Sequence, residues 1–377
     1  MLRITYREPH IMNKATSHLT PRPGIMQISP YVGGRASLDS GEKVIRLASN
    51  ESALGPSPRA IAAYEAESSN LHRYPDGGAH DLRAALGKLY GLDAARIVCG
   101  TGSDEILQLL TKAYAGPGDE VLFSRHGFLV YELAARAAGA TPVAAPETDY
   151  HSDVDALIAK VNDKTRILFL ANPNNPTGSY LAKPEMRRLW SALPENVLLV
   201  VDAAYAEFVS AEDYDAGAEL VEAGKNVVMT RTFSKIYGLA SLRLGWCYGS
   251  AEVIDVLNRV RGPFNNTGPA LAAGLAAVED QDHIDKARRH NSKWLHALRS
   301  ECEKIGIATL PSVCNFLLLR FAEGAHDARA ADTYLTARGI LARNVDNYHL
   351  PDCLRVSIGL DPEMDALLVA LKEFMAS

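Results

Sequence analysis

Short apolar runs alternate with segments of helical periodicity through the first two thirds of the chain. This alternation is typical of a largely parallel α/β sheet whose strands are buried on both faces. The predicted strands are Arg96–Cys99, Glu120–Phe123, Thr141–Ala144, Arg166–Ala171, Val197–Asp202, Asn226–Thr230 and Arg243–Tyr248. Helical patterns between them cover Asp104–Tyr114, Tyr131–Ala138 and Lys183–Leu193, and Pro and Gly mark several of the joins.

The pattern changes near residue 265. Ala-rich and charged helical segments dominate from Pro269 to Ile305, and short strands are predicted at Asn315–Arg320 and Leu354–Ile358. We therefore expect a large α/β domain over residues 39–265, whose first residues could pack with the other domain. Residues 266–377 are expected to form a smaller α+β domain.

The segment before residue 39 is predicted to be an N-terminal arm. Pro21, Pro23 and Pro30 disfavour helix there. The first residues mix charged and apolar side chains, so a secretory signal is not expected. No stretch is apolar enough to span a bilayer.

Composition narrows the class of protein. The chain has 377 residues, 47% of them hydrophobic, and a net charge of −6 without a basic cluster, so no nucleic-acid partner is expected. Its five cysteines lack CxxC spacing and its histidines lack HExxH spacing, which argues against disulfides and a metal site. These features are typical of an ordinary soluble globular protein in a reducing compartment, and we expect it to be cytoplasmic.

Polar residues follow four of the predicted strands at the points where the strands end. These segments are Gly100–Glu105, Asn172–Gly178, Asp202–Tyr205 and Thr232–Lys235. Open α/β sheets bind ligands at the carboxyl ends of their strands, so we expect the four segments to share one site.

These residues match the groups of a phosphorylated pyridine aldehyde. Lys235 offers a primary amine to the aldehyde, and Asp202 offers a carboxylate that keeps the ring nitrogen protonated. Asn175 and Tyr205 are donors for the phenolic oxygen. The phosphate requires a helix N-terminus, hydroxyl groups and a guanidinium. The candidates are Gly102, Ser103, Asp104, Thr232, Ser234 and Arg243.

Each signal is weak when it is taken alone. Asp202 could be a cap or a salt-bridged residue, Ser234-Lys235 a surface pair, and Asn175–Gly178 a turn. Gly100-Thr101-Gly102 is similar to a dinucleotide-binding motif, but Glu105 stands where its last glycine belongs, which disfavours a nicotinamide dehydrogenase. The joint occurrence of the four segments carries the prediction.

With further motifs, the sequence resembles the fold-type I pyridoxal-phosphate aminotransferases from about Pro21 to the C-terminus. The added motifs are Leu47–Glu51, Gly55–Pro58, Arg73–Asp76 and Leu354–Gly359. Within that family they are most similar to the group that transaminates histidinol phosphate. The resemblance implies a mostly parallel seven-stranded sheet between helices, a smaller α+β domain and pyridoxal 5′-phosphate as cofactor.

The resemblance also implies roles for single residues. Lys235 is the lysine that bonds to the cofactor, with Asp202, Tyr205 and Asn175 around the ring. Phe128, otherwise a plausible core aromatic, stacks on the ring. Tyr74 reaches the cofactor phosphate of a neighbouring subunit, which implies a homodimer.

Substrate-binding residues are implied in the same way. Arg355 holds the substrate α-carboxylate, Asn50 lies near that carboxylate, and Tyr31 and Arg343 meet the substrate side chain or its phosphate. The implied reaction moves an amino group between histidinol phosphate and 2-oxoglutarate, as a step of histidine biosynthesis. Alternatives are an aromatic amino-acid aminotransferase, a pyridoxal-phosphate lyase or decarboxylase, and a ligand-sensing regulatory domain. A regulatory domain of this kind would be expected to carry a DNA-binding module, and the stretch before Pro21 leaves no room for one.

Overall fold

A computed structural model describes residues 20–38, 41 and 44–377. Residues 1–19 of the predicted N-terminal arm lie outside the described residues. The strands are β1 (Ile45–Arg46), β2 (Ile97–Gly100), β3 (Glu120–Ser124), β4 (Thr141–Ala145), β5 (Glu147–Thr148), β6 (His151–Ser152), β7 (Thr165–Ala171), β8 (Leu198–Asp202), β9 (Val227–Thr232), β10 (Gly245–Gly249), β11 (Ala308–Leu310), β12 (Phe316–Arg320), β13 (Ile340–Leu341), β14 (Arg343–Asn344) and β15 (Cys353–Ser357).

The α-helices lie between these strands and at the end of the chain. They are α1 (Pro58–Ala66), α2 (His80–Tyr90), α3 (Gly102–Tyr114), α4 (Val130–Ala138), α5 (Val154–Lys160), α6 (Lys183–Ala192), α7 (Ala218–Ala223), α8 (Ala251–Val260), α9 (Gly268–Glu279), α10 (Gln281–Lys304), α11 (Ala328–Ala337) and α12 (Asp361–Ala376). Among the described residues, none of these helices combines the length and the apolar character that crossing a membrane requires.

The central sheet contains seven strands in the order β2-β10-β9-β8-β7-β3-β4. Strand β10 is antiparallel to both of its neighbours, and the remaining pairs are parallel. Each of the seven sequence-predicted strands of the large domain overlaps one of these strands. The predicted fold class, a mostly parallel α/β sheet between helices, is therefore confirmed.

Both faces of the central sheet are covered, because successive side chains of a strand point to opposite faces. In β8, Leu199 and Val201 belong to one apolar core, and Leu198 and Val200 belong to the core on the other face. All five residues of β8 are buried. The apolar sequence of residues 198–201 is explained by this burial on both sides.

A second sheet with the order β11-β12-β15-β14 forms within the C-terminal third of the chain. It packs with α10, α11 and α12 around a third apolar core. Strand β1 from the N-terminal part pairs with β13, and Leu47 belongs to the same core. Helix α9 packs instead against α1 and α2. The division of the chain near residue 265 stays a prediction.

Candidate functional site

A cavity of about 310 Å³ opens at the carboxyl ends of the central strands, where the second sheet meets them. Its walls come from the segments after β2, β3, β7, β8 and β9, from β14 and β15, and from two stretches near the N-terminus. The lining residues are Tyr31, Gly33, Gly34, Ala48, Ser49, Asn50, Glu51, Ser103, Asp104, Phe128, Ala171, Pro173, Asn175, Asp202, Ala204, Tyr205, Thr232, Ser234, Lys235, Ala240, Arg243, Arg343 and Arg355. The four strand ends therefore do share one hollow.

Two predicted site residues do not line this cavity. Gly102 is the first residue of α3 and precedes Ser103, which does line the cavity. Tyr74 is 83% exposed and stacks on Phe264, with 4.7 Å between the ring centroids. The cavity of a single chain is therefore formed without Tyr74, and the role predicted for it requires a second subunit.

Lys235 lies in the loop that follows β9, and its side chain reaches the cavity. The Nζ atom is 5.5 Å from the centroid of the Tyr205 ring. Burial lowers the pKa of Lys235 to about 8, and the positive charge of Arg355 acts in the same direction. About a tenth of this amine is therefore neutral at pH 7, far more than for an ordinary lysine, and a nucleophile or a proton acceptor requires this neutral form.

Asp202 is the last residue of β8 and its carboxylate is buried. Oδ2 accepts a hydrogen bond from the Tyr131 hydroxyl at 2.8 Å, and Oδ1 accepts one from the Thr230 hydroxyl at 3.1 Å. Burial raises the pKa of Asp202 to about 6, while these two donors oppose the shift. The carboxylate is therefore mostly ionised at neutral pH and is held by two hydroxyl groups.

Tyr205 and Asn175 face the cavity beside Lys235. The Tyr205 hydroxyl oxygen accepts a hydrogen bond from Asn50 Nδ2 at 2.8 Å. The Asn175 Oδ1 atom accepts one from Arg355 Nη1. Each residue keeps a hydrogen that it can donate into the cavity, the hydroxyl proton of Tyr205 and the amide protons of Asn175.

The first turn of α3 and the segment around Arg243 form a group of anion-binding donors. The N–H groups of the first turn have no partners within the helix. Arg243 Nη1 donates to Ser234 Oγ at 3.1 Å, and Nη2 donates to Asp104 at 3.3 Å. Gly102 has a φ of +77°, and a Cβ there would overlap Arg243 Nη2. Glycine is favoured at this position because the positive φ strains other side chains, and a Cβ would in addition displace the guanidinium of Arg243.

Arg355 and Arg343 supply positive charge at the other end of the cavity. Arg355 is buried, and Nη2 donates to the carbonyl oxygen of Ala48 at 2.9 Å. Its Nε atom is buried and has no hydrogen-bond partner in the described part of the chain. Arg343 Nη2 donates to the carbonyl oxygen of Val32 at 2.8 Å, next to Tyr31. This end of the cavity is suited to an anionic group.

Several residues of the site were not predicted from the sequence. Tyr131 and Thr230 hold Asp202, and Ser357 bonds to Asn50. Tyr131 could have been found from the sequence, because it is the last residue of the Phe-x-x-Tyr segment that begins at Phe128. Thr230 and Ser357 had no local signal, because the residues that they contact lie elsewhere in the chain.

The chain is similar in sequence and in fold to known proteins. Residues 42–371 match the family model described as "Aminotransferase class I and II". The histidinol-phosphate aminotransferase of Paramagnetospirillum magneticum is 56% identical over 358 residues, which cover 95% of this chain and 99% of that protein. The enzyme of the same name from Rhodospirillum centenum is 54% identical, with 94% of this chain and 98% of that protein covered.

A solved structure is similar over nearly the whole chain. It is the histidinol-phosphate aminotransferase of Sinorhizobium meliloti in complex with pyridoxal-5′-phosphate, with a TM-score of 0.88 and 31% sequence identity. The match covers 96% of this chain and 99% of that chain. The chain belongs to the class I and II aminotransferase family.

Proposed function

We propose that this chain is a pyridoxal-phosphate-dependent aminotransferase that interconverts histidinol phosphate and its keto counterpart, with glutamate and 2-oxoglutarate as the second pair, in histidine biosynthesis. The observation that carries the proposal is the placement of Lys235, Asp202 and an anion-binding group in one cavity. The names of the full-length relatives support the choice of substrate.

The residues of the cavity fit a pyridoxal phosphate group. Ser103, Thr232, Ser234 and Arg243 would hold its phosphate, and the glycine at position 102 leaves the space that Arg243 needs. Asp202 would bind the ring nitrogen and Lys235 the aldehyde. Phe128, which lines the cavity and meets Tyr131 edge-on, would cover one face of the ring.

When bound, the cofactor supplies an electrophilic aldehyde and a ring that accepts an electron pair from the substrate α-carbon. The protein supplies the rest. The Lys235 Nζ atom, with its lowered pKa, accepts the proton from the α-carbon. The ionised Asp202 carboxylate stabilises positive charge at the ring nitrogen. Tyr205 and Asn175 donate hydrogen bonds that stabilise negative charge on the phenolic oxygen.

Substrate binding is assigned to Arg355, Arg343, Tyr31 and Asn50. Glutamate carries an α-carboxylate, whereas histidinol phosphate carries a phosphate and no carboxylate. Two guanidinium groups at one end of the cavity can hold either anion. An aromatic amino acid would present the same carboxylate, so it is an expected secondary substrate.

A homodimer in the cytoplasm is the proposed state. Tyr74, Phe264 and Leu71 leave large apolar side chains exposed on one chain. Such a surface is typical of a subunit interface. All five cysteines are free and buried, as expected in a reducing compartment.

The first experiment identifies the lysine. The purified yellow protein is reduced with borohydride and digested, and the labelled peptide is sequenced. A label on Lys235 supports the proposal, whereas a label on any other lysine contradicts it.

The second experiment separates the candidate substrates. Histidinol phosphate, phenylalanine and aspartate are added in turn to the yellow protein, and loss of colour is followed together with transfer of the amino group to 2-oxoglutarate. Histidinol phosphate should react most efficiently. Discharge of the colour by aspartate alone would contradict the proposed substrate, and carbon dioxide release without amino transfer would indicate a decarboxylase.

A further inference from the structure

Ser357, at the end of β15, is bonded to a residue more than three hundred positions earlier in the chain. Its Oγ atom accepts a hydrogen bond from the backbone N–H of Asn50 at 2.8 Å. The same Oγ lies 3.1 Å from Asn50 Oδ1, and Asn50 Nδ2 lies 2.8 Å from the Tyr205 hydroxyl. We call Ser357, Asn50 and the Tyr205 hydroxyl the relay. All three residues are at least 97% buried.

The Asn50 amide faces Ser357 with its Oδ1 atom, and this placement sets the direction of the hydrogen bonds in the relay. With Nδ2 there instead, the Ser357 oxygen would accept two hydrogen bonds and its own proton would have no acceptor within the relay. A backbone N–H can only donate, so the Ser357 oxygen is an acceptor in that bond. The Ser357 proton is then available for the Asn50 Oδ1 atom, which can only accept. With Oδ1 occupied by Ser357, the Asn50 NH₂ group points at Tyr205. The Tyr205 oxygen accepts this bond, and its own proton is left for the cavity.

The backbone at Asn50 is held in place by other contacts. Asn50 has a φ of +56°, a left-handed conformation in which asparagine is tolerated. Asn315 Nδ2 donates to the carbonyl oxygens of both Asn50 and Glu51, at 3.0 and 3.1 Å. The Tyr205 ring meets Phe316 edge-on, with 5.3 Å between the centroids. The relay therefore connects the segment after β8, which carries Tyr205, with Asn50 and with the end of β15.

We propose that Ser357 is a positioning residue of this aminotransferase. By locking the orientation of the Asn50 amide, it ensures that the Tyr205 hydroxyl donates into the cavity, toward the phenolic oxygen of the cofactor. Without the Ser357 hydroxyl the amide can rotate by half a turn. Oδ1 then accepts the Tyr205 proton, and the cavity loses that donor. The proposal rests on the proposed function, because it concerns how Tyr205 meets the cofactor.

The readout is the pH midpoint of the colour change of the purified, cofactor-loaded protein. A hydrogen bond donated to the phenolic oxygen stabilises its ionised form and lowers this midpoint. Tyr205→Phe removes the donor and should raise the midpoint by about one pH unit. Ser357→Ala should raise it by about half a unit, because only part of the population rotates the amide. Lys235 and Arg355 also face Tyr205 and influence the midpoint, but they are the same in every variant.

A double-mutant cycle tests whether Ser357 acts through Tyr205. Ser357→Ala should raise the midpoint in the wild-type background and leave it unchanged in the Tyr205→Phe background. Ser357→Thr keeps the hydroxyl and should retain the wild-type midpoint. Ser357→Cys, which has a similar size and a weak donor, should behave like Ser357→Ala and serves if that variant does not fold.

The matched control is Val356→Ala, in the same strand. Val356 is fully buried in the apolar core of the second sheet and contributes no atom to the relay. This variant should lower the unfolding temperature without moving the midpoint. The proposal is overturned if Val356→Ala shifts the pH midpoint as much as Ser357→Ala does. It is also overturned if Ser357→Ala shifts the midpoint in both the wild-type and the Tyr205→Phe backgrounds.

The outcomes also separate the proposal from the function on which it rests. A protein that binds no pyridoxal phosphate refutes both. If Tyr205→Phe raises the pH midpoint but Ser357→Ala and Ser357→Cys leave it unchanged, the proposed function stands. The role proposed for Ser357 is then refuted. A midpoint that Tyr205→Phe leaves unchanged also refutes this role, because Tyr205 then donates nothing to the cofactor.

Discussion

Arg343 lies directly opposite Arg355 across the antiparallel strands β14 and β15. Like charges in this relation repel each other. In the described part of the chain, Arg355 bonds only to uncharged oxygens, those of Asn175 and Ala48. A bound anion would relieve this repulsion, and each half of the proposed reaction provides one, a carboxylate or a phosphate.

We expect Arg355→Lys to lower kcat/KM for glutamate by about 100-fold, because lysine cannot reproduce the planar, two-pronged contact with a carboxylate. The rates of the separate half-reactions are the measurement. The matched control is Arg320→Lys in the neighbouring strand, which changes an exposed ion pair with Asp352 and should leave both half-reactions unaltered. Unchanged glutamate kinetics in Arg355→Lys would show that this residue does not hold the carboxylate.

The stability of the cofactor-free protein should depend on pH through Lys235. Burial lowers the pKa of this amine from an ordinary value of 10.5 to about 8. Between these two values the unfolded chain holds a proton that the folded protein has lost. Raising the pH through this window therefore stabilises the folded state.

Lys235→Met removes this titration, so the wild type should gain stability relative to the variant between about pH 8 and pH 10.5, on the order of 2 kcal/mol in total. The free energy of unfolding of both proteins, measured by denaturant titration across that range, tests this. Lys225→Met, which removes a surface amine paired with Glu252, is the control and should show no such trend. A difference of the opposite sign would contradict a buried neutral amine.

The parts of this molecule that depend on short stretches of sequence could be predicted. The strands of the central sheet follow from apolar runs that are buried on both faces, and β8 is an example. Four residues were expected at the same edge of the central sheet, because they follow the ends of strands in an open α/β sheet. They are Ser103, Asn175, Asp202 and Lys235. The chemical roles of these four residues remain predictions.

Contacts between distant parts of the chain could not be predicted. The Tyr131 hydroxyl reaches Asp202 because its ring stacks on Phe169, with 4.6 Å between the centroids, and no local pattern encodes that packing. Strands β1 and β13 have two residues each, too few for any periodicity. The bonds between Ser357 and Asn50 depend on how the second sheet meets the N-terminal segment.

Tyr131→Phe should weaken the ionisation of Asp202. The hydroxyl of Tyr131 donates to the carboxylate at 2.8 Å and opposes the effect of burial, which raises the pKa of Asp202 to about 6. Without it we expect the acidic limb of the kcat/KM profile to move up by about one pH unit, so that kcat/KM at pH 7 falls about twofold and kcat/KM below pH 6 falls about tenfold. Activity measured against pH is the test.

Tyr180→Phe is the matched control for Tyr131→Phe. The Tyr180 hydroxyl donates to Asp213, also at 2.8 Å, on the surface and away from the cavity residues. Its removal should leave the pH profile unchanged. An unchanged profile in Tyr131→Phe as well would mean that Asp202 does not need this donor.

Tyr74 should act at the site of the neighbouring subunit, because it is exposed on its own chain and does not line its own cavity. Tyr74→Ala should weaken cofactor binding, and Lys235→Ala should abolish activity while the fold is retained. The two variants are unfolded and refolded together and assayed at a cofactor concentration low enough that Tyr74→Ala alone is almost inactive, and each mixed dimer then regains one complete site. That site combines Lys235 from one subunit with Tyr74 from the other.

Random pairing makes half of the dimers mixed, and one of the two sites in each is complete, so mixing should restore about a quarter of the wild-type activity. Each variant refolded alone, and a mixture of Lys235→Ala with Asp202→Ala, are the controls, because two variants that damage the same chain's own site cannot complement each other. If Tyr74 served the cavity of its own chain, the subunit with Lys235 would still lack its tyrosine and the mixture would stay as inactive as its parts. Recovery in the first mixture alone therefore requires a site built from two subunits.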